Sequence, residues 1–164
     1  MKTLACFLIM MISIAILVQC GIAQEKSDKD EILTVVQKFF DSMAARDTGM
    51  ARELLLIDGQ YYGVREDLDT LHIKRRAHLD YIESLSETED EYNERIWNPT
   101  VMVHGRIAVV WAQYDFHING KFTHCGVDAF TLIKTQNGWK IAGAAYTIEP
   151  EGCDQSPLGP LKSK

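Results

Sequence analysis

Two Asn-Gly pairs, Asn119-Gly120 and Asn137-Gly138, each sit between long runs of strand-forming residues, and they constrain this chain more than any other feature. Asn and Gly tolerate the positive φ angles of a two-residue hairpin turn, whose twist matches that of the flanking strands. From Glu94 onward the chain is rich in Val, Ile, Trp, Tyr, Phe and Thr, and His104-Gly105 adds a third, weaker turn signal. The pattern predicts a four-stranded antiparallel meander over about 94–103, 106–118, 121–135 and 139–149. Strands of that length call for a curved, bulged sheet.

The preceding half has a helical period. Asp28 and Glu31 can form a capping box ahead of Ile32, Leu33, Val35, Val36, Phe39, Phe40 and Met43, which recur at helical spacing. Asp47-Thr48 ends that helix and can cap a second over Met50 to Leu56, which Asp58-Gly59 closes with a turn. A third helix is expected from about Thr70 to Leu85, with Leu71, His78, Ile82 and Leu85 inward, and the acidic run Glu87 to Glu91 reads as a solvated loop. Helices followed by a meander make an α+β fold with the helices on one sheet face.

Residues 1–23 read as a secretory signal peptide: Lys2, an apolar run from Leu4 to Val18, then the small residues Gly21 and Ala23. As a helix that run spans roughly 22 Å, short of the ~30 Å hydrocarbon core, so no stable membrane span is expected. Cleavage after Ala23 and export to a periplasmic or extracellular space follow; the alternative is a lipid anchor at Cys20. Residues 24–164 are then one domain, with a Pro- and Gly-containing tail from about 150. Removal of the leader leaves Cys125 and Cys153, which in an oxidising compartment invite a disulfide, the alternative being two unpaired thiols. Lys+Arg 17 against Asp+Glu 23 gives a net charge of −6, which argues against nucleic-acid binding. No Cys-x-x-Cys or His-x-x-x-His spacing supports a metal site, and no cofactor is expected.

Carried without interruption, the two hairpins set Asp115 opposite His124, Trp111 opposite Asp128, and Asp128 opposite Thr147. One face then collects Trp111, Gln113, Asp115 and His117 with His124, Asp128 and Thr147, apolar at one end and polar at the other. The other carries Ala108, Val110, Ala112, Tyr114 and Phe116 with Val127, Ala129, Thr131 and Ile133, and so little charge on an exposed face predicts a homodimer through it. The C-terminal tail is a second candidate cover. Cys125 falls opposite Pro150, which brings Cys153 within reach; closing that loop is worth about 3 kcal/mol.

Helices followed by a long curved meander resemble the nuclear transport factor 2-like (SnoaL-like) superfamily. Glu94-Arg95-Ile96-Trp97-Asn98-Pro99-Thr100, Ala108-Val109-Val110-Trp111-Ala112, Tyr114-Asp115-Phe116, His124-Cys125-Gly126-Val127-Asp128 and Glu149-Pro150-Glu151-Gly152-Cys153 are similar to an exported bacterial branch of it. The resemblance implies a cone with a cavity between helices and concave sheet, often dimeric through the convex face. It also implies that enzymatic members work with an Asp or an Asp–His arrangement inside the cone.

Three functions are compatible with these residues. The first is an exported protein binding a hydrophobic small molecule, with Trp111, Gln113, Tyr61, Tyr62, Asn98 and Thr147 as ligand-binding candidates. The second is an acid–base enzyme performing proton transfer, dehydration or cyclisation, with Asp128, His124 and Asp115 as catalytic candidates, Asp115 fixing the tautomer of His124. The third is a dimeric interaction module with a closed, dry core. For Asp128 the structural alternative is a carboxylate held by the indole N–H of Trp111 or Trp139, or by Thr147; for Asp115 and His124 it is a solvated cross-strand pair.

Overall fold

The computed structural model describes residues 28–68 and 70–161, so the expected leader, its cleavage site and Cys20 lie outside the described residues. Helix α1 (28–45) buries Ile32, Val36, Phe39, Phe40 and Met43 of the expected stripe, while Leu33 and Val35 are half-buried against the core. Asp47 accepts a hydrogen bond from Met50 N (2.9 Å) and so caps α2 (Thr48–Leu54).

The chain then departs from expectation. Asp58-Gly59 is not a turn but part of a strand, β1 (Leu55–Asp67), which folds back on β2 (Thr70–Ala77). Helix α3 is therefore only His78–Leu85. Pairing from Asp67↔Thr70 to Gln60↔Ala77 satisfies the backbone of 70–77 as a sheet edge, overriding the helical reading. Gly59 is small for a different reason. A Cβ there would collide with the ring of His78, whose Nδ1 bonds Leu56 O at 2.6 Å.

Strands β3 (Tyr92–His104), β4 (Ile107–Ile118), β5 (Lys121–Thr135) and β6 (Gly138–Thr147) form the expected meander. With β1 and β2 they make a six-stranded sheet in the order β2-β1-β6-β5-β4-β3, antiparallel except where β1 runs parallel to β6. The helices pack on one face, giving the α+β cone. Among the described residues no helix is long and apolar enough to cross a membrane.

Register decides the faces, and two bulges change it. Around Asn119-Gly120 the pairs Ile118↔Lys121 and His117↔Phe122 are as expected, but Phe116 then pairs with His124, leaving Thr123 as an extra residue. Beyond that point Asp115 faces Cys125 and Ala112 faces Asp128. Strand β4 is thereby turned over relative to β5: Ala108, Val110, Ala112 and Tyr114 are buried, whereas Trp111 is 54% exposed. At the second hairpin Thr135 pairs with Gly138, and a further shift between Leu132↔Ile141 and Thr131↔Gly143 sets Asp128 opposite Tyr146 rather than Thr147. Cys125 bridges to Glu149, one residue short of the expected Pro150, and a disulfide joins Cys125 to Cys153.

Candidate functional site

A cavity of about 290 Å³ opens between α1, α3 and the inner sheet face. Its walls are aromatic: Phe39 from α1, Tyr81 from α3, Tyr61 from β1, and Tyr114, Phe130 and Tyr146 from the meander. Asp128 and Glu94, from β5 and β3, face each other within hydrogen-bonding reach in this hollow. Ala112 and Tyr114 lie on the strand between them, and their inward pleat is what brings the two carboxyls to one side.

Among the described residues neither carboxyl has a Lys, Arg or His within ion-pairing distance. Burial pushes Asp128 up to about 7, against a smaller downward pull from its hydrogen bond to Glu94. Glu94 is raised well above the carboxylate range by burial first and by the charge of Asp128 next. Two carboxyls so placed titrate as a unit and share a proton near neutral pH. Asp128 Oδ2 and the phenol oxygens of Tyr61 and Tyr81 are buried without hydrogen-bond partners. Burial raises both of these phenols, so they stay protonated.

His124 also lines the cavity, with its ring 5.0 Å from that of Phe116 and 5.8 Å from that of Tyr114. Burial, then the charge of Arg65, lowers its pKa and favours the neutral ring. Arg76 reaches the same hollow from β2 and lies 5.4 Å from the ring centre of Tyr81.

The other expected site residues are elsewhere. Asp115 and His124 point to opposite faces, so the expected Asp115–His124 pair does not form. Asp115 is buried on the convex side, gripped by Arg95 through Nε–Oδ1 (2.8 Å) and Nη2–Oδ2 (2.5 Å). His117 Nδ1 is 3.6 Å from Asp115, and Arg95 Nη1 also donates to Gly159 O at 3.0 Å, so the disulfide-tethered tail covers this cluster. Trp111 is exposed on the same convex side, and Gln113 there accepts from Trp97 Nε1 at 2.7 Å. Asn98 is exposed at a β3 bulge with φ 48°. Thr147 accepts from Val127 N and donates to Glu149, and Tyr62, pairing with Ala145, faces away from the cavity that Tyr61 lines. None of the indole or hydroxyl partners proposed for Asp128 holds it.

Sequence reasoning therefore placed Asp128, His124 and Tyr61 in the hollow but missed Glu94, Arg76, Tyr81, Tyr114 and Tyr146. Glu94 was detectable in principle. It is the one acid in β3, set between Tyr92 and the Ile96-Trp97 pair, but the β3 pairing gave no turn strong enough to fix its face.

A helix-roofed cone with an enclosed cavity is the nuclear transport factor 2-like fold. More narrowly, residues 27–147 match the family described as "Putative lumazine-binding", and the chain belongs to that family. Solved structures agree on the fold. A nuclear transport factor 2-like superfamily protein from Salmonella enterica serovar Typhimurium superposes with a TM-score of 0.62 at 16% identity, over 79% of this chain and 96% of that one. A protein with a cystatin-like fold from Novosphingobium aromaticivorans gives 0.62 at 16% identity, over 85% and 91%. A protein from Streptomyces avermitilis described as a "putative dehydratase" gives 0.58 at 16%, over 76% and 97%. Comparison with curated proteins finds no match.

Proposed function

We propose that this protein binds a small, planar organic molecule in the aromatic cavity. The observation that carries this reading is the hollow itself: about 290 Å³, walled by rings, with the buried carboxyl of Asp128 beside the half-buried one of Glu94 and several polar atoms left without partners. Sites for small molecules combine an apolar lining with a few convergent polar groups in this way. The family description names lumazine binding, and a bicyclic ring of that kind suits the size of the space. The cavity reaches Asp128, the condition that a closed interaction module excludes. In a thermal-shift and calorimetric screen of planar bicyclic compounds, at least one should raise the unfolding midpoint, and Ala144→Leu, which fills the hollow, should abolish the effect while leaving the circular dichroism spectrum unchanged. A midpoint that no compound moves would contradict the reading.

A second reading is acid–base catalysis, favoured by a carboxyl poised near neutral pH beside a second one. It replaces the expected Asp115–His124 pair with Glu94 and Asp128. Asp128→Asn should then abolish turnover of a hydroxylated or enolisable carbonyl substrate and leave its binding intact.

Two further proposals concern the setting. Export and cleavage after Ala23 rest on the order of charged, apolar and small residues, and mass spectrometry of the mature N-terminus tests them. Homodimerisation through the convex face rests on its outward residues, which include Met102 (59% exposed), Ile107 (58%) and Trp111 (54%) rather than the expected Tyr114 and Phe116. Sedimentation should show a dimer that Trp111→Lys dissociates; an unchanged mass would end this proposal.

A further inference from the structure

Several polar atoms around the cavity are left as acceptors. Asp128 Oδ2 is an unpartnered acceptor on a side chain that is 3% exposed. Tyr114 gives its one hydroxyl proton to Thr147 O at 2.6 Å, so its oxygen has only lone pairs left to offer. Thr123 donates to Phe116 O at 3.1 Å; Nδ1 of His124, 2.9 Å from Thr123 Oγ1, must therefore be the donor of that second bond. In the neutral ring this leaves Nε2 as an acceptor. The unpartnered phenols of Tyr61 and Tyr81 can accept as well as donate. Tyr61, Tyr81 and Arg76 could donate to a carbonyl, but a ligand carrying N–H groups would find acceptors on several sides, the carboxyl pair among them.

Charge points the same way. The carboxyl pair has no counter-ion among the described residues, and an uncompensated buried carboxylate is costly. Arg76, the one Lys or Arg among the described lining residues, is held over the face of Tyr81 and outside ion-pairing distance of both carboxyls. That contact shows the wall accepting a cation on a ring face. Small organic cations are received by this combination of aromatic faces and carboxylates.

Resting on the reading of the cavity as a binding site, we propose that its ligand is an aromatic base, an amine or amidine on a planar ring, whose cationic nitrogen is received between Glu94 and Asp128 while the ring stacks among the tyrosines. Neutral heterocycles such as lumazine are then weaker occupants.

The test is isothermal titration of the full chain at pH 7 with tryptamine, with its neutral isostere tryptophol, and with lumazine. Tryptamine is expected to bind about 30-fold more tightly than tryptophol, as a charged hydrogen bond contributes. Asp128→Asn and Glu94→Gln, each checked by near-ultraviolet circular dichroism, should reduce that preference to less than about 3-fold; if one variant does not fold, the other carries the test. Tighter binding of tryptophol or lumazine, or an amine preference that survives in a folded variant, overturns the inference but leaves the cavity as a binding site. If none of the three binds and no planar compound moves the unfolding midpoint, the binding reading fails and this inference fails with it.

Discussion

Two buried carboxylates, Asp115 and Asp128, lie on opposite faces of the same sheet, and the protein treats them in opposite ways. Asp115 is 4% exposed and held at both oxygens by Arg95, under a tail tied down by a disulfide. Asp128 is 3% exposed and, among the described residues, has another acid, Glu94, as its charged neighbour. A buried charge with a bidentate partner serves the fold; one left to share a proton costs stability and so points to function. The comparison also shows how little separates the two outcomes. One extra residue, Thr123, decides which carboxylate faces the cavity.

The largest effect should come from breaking the compensated side. Arg95→Met leaves Asp115 buried and unpaired, so urea unfolding should show a loss of about 3 kcal/mol, of which Arg95→Met/Asp115→Leu recovers most. If the single substitution costs nothing, Asp115 is not a structural carboxylate and the contrast fails. Cutting the clasp comes next: Cys153→Ser should lower stability by about 2–3 kcal/mol and speed amide exchange in residues 153–160, without changing the cavity.

How much of this was legible in the sequence depends on what each residue answers to. The α1 stripe and the α2 cap were readable because helical period and capping are local. The hairpins were readable because Asn-Gly turns are local too. The face of β4 was not, since the bulge that inverts it at Thr123 carries no Gly or Pro mark. Strand β2 was missed because Leu71, His78, Ile82 and Leu85 fit a helical stripe as one run, while the start of its true partner, β1, reads as a helix end at Leu56 and a turn at Asp58-Gly59. Asp128 and His124 stayed on the inner face because they share a strand and are four positions apart.

On the uncompensated side the expected effect is smaller and carries a pH signature. The folded carboxyl of Asp128 stands near 7 against 3.8 when free, so the stability that its protonated form contributes is complete below about 4 and is lost as pH rises through 7. Asp128→Asn should flatten that decline and be more stable than the parent at pH 8 by roughly 2 kcal/mol, measured as the urea midpoint against pH. The smallest effect belongs to the exposed Gln113, whose bond to Trp97 water can replace: Gln113→Ala should change stability by no more than about 0.5 kcal/mol.

Most direct of all is a carboxyl titration of the intact protein, followed by carbon chemical shifts of labelled Asp and Glu side chains from pH 3 to 9. One step of the Glu94–Asp128 pair is expected near pH 7, and it should disappear in Asp128→Asn. If both carboxyls ionise below pH 5, the cavity does not hold an uncompensated acid pair, and the contrast with Asp115 is contradicted.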